Sequence, residues 1–350
     1  MIKKIFRNYF VLFLPFALCL LPSILPFVSA QSGRATQSTQ KPQTQKPAAP
    51  PAQDSRPRRA SDPEQADDKP LKLSADLVTA ITSVTDPAGN QINSLTKDDF
   101  VVYEDNKEQE IASCYREGQM PLRLVFLFDT STSIRSRFDF EQRAAALFFR
   151  QLLRPGDKAA IISVASDARL EIPFTPDINR LVNTLANLQP QGATALYNAI
   201  SQAAKYLRDE EGRHVMVVLS DGTDTASGIT LAQALKEVQK SDTVIYSVHS
   251  TGVAPSLNVQ DLAGEFVMKA LSEDTGGRAF FPPIYDDSKK ETHDLDEIYK
   301  RVAAEVRAQY VLTYYSKNDA RTKNYRSIRV EVKRPGLQVR ARNGYYTVKD

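Results

Sequence analysis

An apolar run that ends in an aspartate and two serines is the part of this sequence best suited to chemistry. Leu122–Phe128 is apolar apart from one arginine, and Asp129, Ser131 and Ser133 follow it at alternate positions. Mg²⁺ prefers oxygen ligands in near-octahedral geometry and usually keeps several waters. One tight loop with a carboxylate and two hydroxyls can therefore hold one face of a magnesium ion and leave the opposite face open.

The low charge of this loop shapes the chemistry that we expect from it. Hydroxyl ligands add no negative charge, so a metal ion bound to Ser131 and Ser133 stays electron-poor and attracts a further anion. The alternative is a polar turn after a strand, with side chains that cap the next helix and bind no metal. The five residues from Asp129 to Ser133 leave both interpretations open.

Two later segments offer further oxygen ligands. Thr194 lies in Gly192–Tyr197, between two helical patterns, and Asp221 follows the second buried-strand run, Val215–Leu219. In an open parallel sheet, ligands bind at the carboxyl ends of the strands, near the point where the strand order reverses. We therefore expect Asp129 and Asp221 to meet at one edge of a sheet.

The order of these groups resembles the metal-ion-dependent adhesion site of the von Willebrand factor type A domain, where Asp-x-Ser-x-Ser precedes a threonine and then an aspartate. The resemblance spans roughly Pro121 to Gln309. It implies direct metal ligation by some residues and ligation through water by others: Ser131 and Ser133 directly, Thr194 directly or through water, and Asp129 and Asp221 mostly through water. It also implies Mg²⁺, with Mn²⁺ or Ca²⁺ as alternatives, and a partner protein whose Asp or Glu carboxylate takes the remaining position. Ile134 replaces the methionine of many members, which affects packing and not ligation.

The flanking segments resemble a bacterial secreted family built around this domain. Upstream, Val84–Asn90 and Leu95–Asp105 match the family's entry segment, and downstream Asp274–Arg278, Gln309-Tyr310 and Arg342–Tyr345 match its exit. This wider resemblance implies an architecture rather than a particular ligand.

Hydrophobic periodicity predicts the fold class. From Phe138 to Tyr299, amphipathic helical patterns alternate with apolar runs that are suited to burial on both faces, at Ala159–Val164, Val215–Leu219 and Thr243–Val248. We therefore predict a parallel sheet with helices on both sides. The resemblance to the type A domain further implies that this α/β sheet is doubly wound, mostly parallel and Rossmann-like.

Both flanks of this region show a period of two instead. Leu71–Arg116 has short alternating runs broken by turn residues, and Ile328, Val330 and Val332 alternate with charged residues near the other end. Neither flank has enough strands to be stable alone. We predict that residues 71–118 and 310–350 form one small β-sandwich. The type A domain, residues 119–309, would be inserted between its halves, with both ends entering at the face away from the metal.

The first 70 residues show targeting and linker patterns. A basic start, an apolar stretch from Tyr9 and the small residues Val28-Ser29-Ala30 predict a signal peptide over residues 1–30 with cleavage after Ala30. The protein is expected to be secreted, periplasmic or in the cell envelope, with no membrane span after cleavage; a retained anchor is the alternative. Residues 31–70 are rich in Gln, Pro and Ser, which predicts a disordered linker.

Charge and cysteine content exclude other classes. Loss of the three basic residues of the signal peptide leaves 42 Lys and Arg against 42 Asp and Glu, so no overall basic field favours nucleic acid. Cys19 lacks the small neighbours of a lipid-attachment site. Cys114 then stands alone in the mature chain, and we expect a half-buried thiol in a strand, with an intermolecular disulfide as the alternative.

An enzyme is the competing functional class. The sequence has no Gly-x-Ser-x-Gly elbow, His-Glu-x-x-His pair or phosphate-binding loop. His214, His249 and His293 are expected at a strand start, a strand end and a loop, and a Ser220–Asp221–His249 relay would compete with the metal edge. We expect no enzymatic activity and a metal-dependent adhesion or interaction module. The alternatives are a cell-envelope scaffold whose metal only fixes the loop and a metal-dependent hydrolase.

Overall fold

A computed structural model describes residues 77–116, 120–132, 137–250, 259–282, 288–318 and 324–347, without the side chains of residues 259–261 and 288–293. The predicted signal peptide, the predicted linker, Ser133 and Ile134 lie outside the described residues.

Fourteen strands and six α-helices are present in the described residues. The strands are β1 (Leu77–Thr85), β2 (Phe100–Glu104), β3 (Lys107–Gln109), β4 (Ile111–Arg116), β5 (Leu122–Asp129), β6 (Lys158–Val164), β7 (Ala168–Thr175), β8 (Arg213–Ser220), β9 (Val244–His249), β10 (Arg278–Phe280), β11 (Tyr310–Tyr315), β12 (Tyr325–Val332), β13 (Gln338–Ala341) and β14 (Gly344–Tyr346). The helices are α1 (Phe138–Leu152), α2 (Ile178–Asn187), α3 (Leu196–Arg208), α4 (Leu231–Lys240), α5 (Val259–Glu273) and α6 (Ser288–Ala308).

The central sheet has six strands in the order β10-β9-β8-β5-β6-β7. All neighbours pair in parallel except β6 and β7, which pair antiparallel at one edge. The predicted fold class, an α/β fold around a mostly parallel sheet, is confirmed. Because β5 lies between β6 and β8, the strand order reverses there, and the carboxyl ends of β5 and β8 form the edge where a ligand site is expected.

Helices cover both faces of this sheet because its strands are apolar on both sides. Leu124, Phe126 and Phe128 of β5 pack into a core with α1, α2 and α6. Val125 and Leu127 face the other way, into a core with α3, α4 and α5. This alternation along one strand explains why the sequence reads as a continuous apolar run.

Two four-stranded antiparallel sheets enclose a third core, and each contains strands from both ends of the chain. One has the order β13-β1-β11-β4 and the other has the order β14-β12-β2-β3. In the second sheet, the β2–β3 hairpin turns at Asp105 and Asn106, whose φ angles of 48° and 64° suit a two-residue turn. The flanks therefore build a β-sandwich jointly. The predicted boundaries at residues 118 and 309 stay predictions.

The α/β segment begins and ends at the sheet edge opposite the carboxyl end of β5. The Asp157 carboxylate accepts a hydrogen bond of 2.8 Å from the backbone N–H of Leu122, the first residue of β5. It also forms an ion pair with Arg307 near the end of α6. One carboxylate thus connects the entry and the exit of the α/β segment.

Some local predictions are confirmed and others are wrong. Cys114 lies in β4, is half-buried and forms no disulfide. His214 and His249 lie at the start of β8 and the end of β9, but His293 lies within α6 rather than in a loop. A helix can continue there because residues 288–308 contain neither glycine nor proline. Among the described residues, no helix combines the length and apolarity needed to cross a bilayer.

Candidate metal centre

The carboxyl ends of β5 and β8 place Asp129 beside Ser220. Phe128 pairs in register with Leu219, so the next residues along the two parallel strands are neighbours. The Ser220 hydroxyl donates a 2.7 Å hydrogen bond to Oδ2 of Asp129, and it accepts one of 3.2 Å from the backbone N–H of Gly222. Ser220 therefore fixes the orientation of the Asp129 carboxylate.

The Asp129 carboxylate is fully buried, with 0% of the residue exposed. Its Oδ1 accepts a 2.8 Å hydrogen bond from the backbone N–H of Ser131. Burial raises the pKa of Asp129 to about 6; the hydrogen bonds from Ser220 and Ser131 lower it, and the charge of Asp221 raises it. A buried carboxylate of this kind gains from a nearby cation.

Thr194 lies in a loop that is fastened on two sides. The Thr194 N–H donates a 3.0 Å hydrogen bond to the Thr225 hydroxyl, and its carbonyl accepts one of 2.8 Å from the Thr225 N–H. On the other side, the N–H of Ala195 donates a 2.7 Å hydrogen bond to the carbonyl of Ala165, just past β6. Thr194 is buried, at the same sheet edge as Asp129.

Asp224 joins the loop after β8 to the start of α3. Its Oδ1 accepts hydrogen bonds of 3.0 Å from the N–H of Tyr197 and 2.6 Å from the Ser227 hydroxyl. The Ser227 oxygen in turn accepts a 3.0 Å hydrogen bond from the N–H of Asn198. These contacts satisfy free N–H groups in the first turn of α3, as a helix cap does.

Asp221 is held by its own loop and by a close backbone contact with α5. Its Oδ1 accepts a 2.9 Å hydrogen bond from the N–H of Thr223, and the Thr223 hydroxyl donates to the same oxygen. Gly222 has a φ of +79°, a conformation that favours glycine. A Cβ at Gly264 would lie only 2.2 Å from the Asp221 carbonyl oxygen, so α5 approaches this loop as closely as glycine allows.

Gly264→Ala is expected to destabilise the fold by about 1–3 kcal/mol, because the added methyl group must push α5 away from the Asp221 loop. Gly228→Ala is the matched control, since a Cβ there meets nothing within 4 Å; it should change stability by less than about 0.5 kcal/mol. Urea unfolding measures both. Equal midpoints for the two variants would contradict the close contact.

The structure brings four of the five predicted ligands to one sheet edge: Asp129, Ser131, Thr194 and Asp221. Ser133 lies outside the described residues. Sequence reasoning missed the positioning roles of Ser220 and Asp224. The Ser220 role follows from the strand register, which the sequence does not show. The Asp224 role could have been suspected from its place three residues before Ser227, a spacing typical of local capping.

The available donors suit a hard cation. They are carboxylate and hydroxyl oxygens. The site has only two carboxylates, so it differs from a cluster of three or more His, Cys, Asp or Glu side chains, and no such cluster is found in the part of the chain that the structure describes. Within the same part, no basic side chain forms an ion pair with Asp129. Such a set matches Mg²⁺ better than a softer metal such as Zn²⁺, which favours nitrogen and sulfur ligands.

Ser220 does not occupy the nucleophile position of the hypothetical Ser220–Asp221–His249 relay. Ser220 donates its hydroxyl proton to Asp129, and a serine activated as a nucleophile would instead donate to a base such as histidine. The His249 ring packs against Phe281, with ring centroids 5.7 Å apart.

A family comparison agrees with this geometry. Residues 124–224 match the model of the von Willebrand factor type A domain. The match supports a relationship to von Willebrand factor type A domains for this part of the chain. The match starts in β5 and ends at Asp224, so all five predicted ligand positions lie inside it. The remainder of the α/β segment, residues 225–309, lies outside the match. A comparison with curated proteins gave no match.

Several solved structures are similar to this chain at low identity. The PilB minor pilin from Streptococcus sanguinis is 14% identical, with a TM-score of 0.42 over 54% of this chain and 62% of that chain. The von Willebrand factor type A protein from Catenulispora acidiphila is 13% identical, with a TM-score of 0.42 over 79% of this chain and 74% of that chain. The von Willebrand factor domain of the type V pili tip protein Mfa5 from Porphyromonas gingivalis is 20% identical, with a TM-score of 0.30 over 32% and 43%. This chain thus spans less than two thirds of the PilB and Mfa5 chains.

Proposed function

We propose that this protein is an exported adhesion or interaction module that binds a carboxylate of a partner protein through Mg²⁺. The metal would be held by Asp129, Ser131, Ser133, Thr194 and Asp221, the serines directly and the aspartates mostly through water. Mn²⁺ or Ca²⁺ could replace it, Ca²⁺ poorly, because Ca²⁺ takes more ligands at longer distances. The partner would carry an exposed Asp or Glu side chain.

The observation that carries this proposal is the buried Asp129 carboxylate at the switch point between β5 and β8. It is oriented by Ser220 and by the Ser131 N–H, and its neighbours at the edge contribute neutral hydroxyls. The serine hydroxyls that would bind the metal directly are neutral, and the aspartates would act mostly through water, so a bound metal would keep an open coordination position. An anionic group from another molecule is therefore attracted to the open coordination position.

The scaffold alternative gains less support from the structure. Hydrogen bonds between Thr194 and Thr225 and from Tyr197 to Asp224 already connect the surrounding loops to one another. A metal that served only to fix these loops would duplicate contacts made by the protein itself. Because hydrogen bonds within the protein already hold these loops, ligand binding is the more useful role for a metal at this site.

The proposed localisation rests on the sequence. A cleavable signal peptide with cleavage after Ala30 would deliver the protein to the periplasm, the cell envelope or the medium. Residues 31–70 would then act as a linker between the cleavage site and the β-sandwich, and the half-buried Cys114 can stay reduced because it has no partner cysteine in the mature chain.

Partner capture is expected to need both the divalent ion and a carboxylate. Mature protein on beads should retain an envelope protein in Mg²⁺, release it in EDTA, and fail to retain it after the extract's carboxylates are amidated with a carbodiimide. Ser131→Ala should lose capture. Thr132→Ala is the control and should keep it, because the exposed Thr132 is not a predicted ligand.

Capture that persists in EDTA would place the interface elsewhere. The surface of the β-sandwich would then be the first place to examine. Capture that requires Mg²⁺ but survives amidation would keep the metal site and contradict the acidic ligand.

A further inference from the structure

Glu141 is a buried acidic residue without a hydrogen-bond partner. It lies in the first turn of α1, has an exposed fraction of 1%, and neither carboxyl oxygen forms a hydrogen bond. A buried ionisable group without a partner is strongly destabilising. Its presence in a well-packed core therefore calls for a physical reason.

The first turn of α1 packs directly beneath the end of β5. The Phe138 ring meets the Phe128 ring edge-on, with centroids 5.3 Å apart, and Phe128 immediately precedes Asp129. Glu141 follows Phe138 by three residues and so lies on the same face of the helix. Glu141 thus lies on the face of α1 that packs against the end of β5.

The electrostatic surroundings of Glu141 connect it with two predicted metal ligands. Burial raises the pKa of Glu141 well above its usual value of 4.5, the charge of Arg137 lowers it, and the charges of Asp129 and Asp221 raise it. Tyr299 of α6 faces the same region, and its buried hydroxyl also has no hydrogen-bond partner. Burial raises the pKa of Tyr299 most, and the charge of Glu141 raises it further. Glu141 therefore lies within electrostatic range of both aspartates, on the protein side of the loop.

We propose that Glu141 is a positioning residue of the metal centre, whose carboxylate strengthens cation binding from behind Asp129 and Asp221. This inference rests on the proposed metal binding. The serine and threonine ligands are neutral, so the two aspartates alone must balance a divalent ion, and a third buried carboxylate adds attraction that salt screens little. Outer residues of metal sites commonly change metal affinity by 10- to 100-fold.

Mg²⁺ titration of full-length mature protein, followed by calorimetry, tests this role. Glu141→Gln and Glu141→Met should each raise the Mg²⁺ dissociation constant about tenfold, because both remove the charge and nearly keep the volume. Asp139→Asn is the matched control: it removes a carboxylate from the same turn at an exposed position, and its dissociation constant should stay within about twofold of wild type.

Stability in EDTA gives a second readout with the opposite sign. The pKa of Glu141 is higher in the folded chain, so its stabilising contribution is complete below about pH 4.5 and is lost as the pH rises through the folded pKa. Arg137, Asp129 and Asp221 are the charged groups that act on it, and Glu141 in turn acts on the hydroxyl of Tyr299. The melting temperature of Glu141→Gln should therefore rise relative to that of wild type as the pH increases above about 4.5.

A variant with weaker Mg²⁺ binding and higher metal-free stability supports the proposed role. Wild-type Mg²⁺ affinity in both Glu141 variants would overturn it, and Glu141 would then be a buried acid that only destabilises the fold. Wild-type protein that binds no Mg²⁺ would overturn the proposed function itself, and this inference with it.

Discussion

Asp129→Asn is expected to abolish the stabilisation that Mg²⁺ gives to the wild-type protein. The substitution keeps the size of the side chain and removes the charge that faces the metal. A ligand that binds only the folded chain stabilises it by about 1.4 kcal/mol when its free concentration is roughly tenfold above the dissociation constant. Thermal unfolding with and without Mg²⁺ should show this shift for wild type and none for Asp129→Asn.

Asp139→Asn is the matched control for this measurement. Asp139 is exposed on α1, so the control removes the same charge without touching the sheet edge, and its Mg²⁺-dependent shift should equal that of wild type. Equal shifts in Asp129→Asn and wild type would remove Asp129 from the metal centre.

The α/β fold could be predicted because burial on both faces leaves a mark in the sequence. Leu124–Phe128 and Val215–Leu219 are continuous apolar runs, and the structure buries every residue in both. The edge strands β7 and β10 are harder to recognise in the sequence. β7 exposes Leu170 and includes Pro173, and β10 has only three residues, so neither shows a clear period.

The ligand positions could be predicted from local order, whereas their supports could not. Asp129 and Asp221 follow apolar runs directly, and the carboxyl ends of neighbouring parallel strands must meet. Ser220 supports Asp129 only because of the strand register, which is a long-range property. Glu141 is an acid in the first turn of a helix, where acidic residues are favourable and usually exposed; its burial depends on how α1 packs on β5.

The burial of a carboxylate in the β-sandwich could not be predicted from the sequence either. Glu104 ends β2 with 0% of the residue exposed. Its Oε2 accepts hydrogen bonds from the hydroxyls of Tyr314 at 2.9 Å and Tyr345 at 3.0 Å. Its Oε1 accepts from the Ser316 hydroxyl at 2.6 Å and the Asn318 amide at 2.7 Å. All four donors come from the carboxy-terminal flank, so one side chain connects the two ends of the chain.

The electrostatic effect of Glu104 is visible in its tyrosine partners. Burial raises the pKa of Tyr314 and of Tyr345, and the nearby charge of Glu104 raises both further. Both hydroxyls therefore keep their protons and donate to the carboxylate over the ordinary pH range. Hydrogen bonds to a charged acceptor contribute more to stability than those between neutral groups.

Glu104→Ala is expected to lower the free energy of unfolding by about 3–5 kcal/mol, because it leaves four donors in or near the sandwich core without their acceptor. Glu110→Ala is the matched control, since Glu110 lies in the same flank with an exposed side chain, and it should change stability by less than about 0.5 kcal/mol. Urea unfolding gives these values. Hydrogen exchange then locates the loss: if the two flanks form one cooperative sandwich, Glu104→Ala must raise exchange in β1 and β2 as well as in β11 and β12. Faster exchange confined to β11 and β12 would show that the amino-terminal strands are stable without the carboxy-terminal ones.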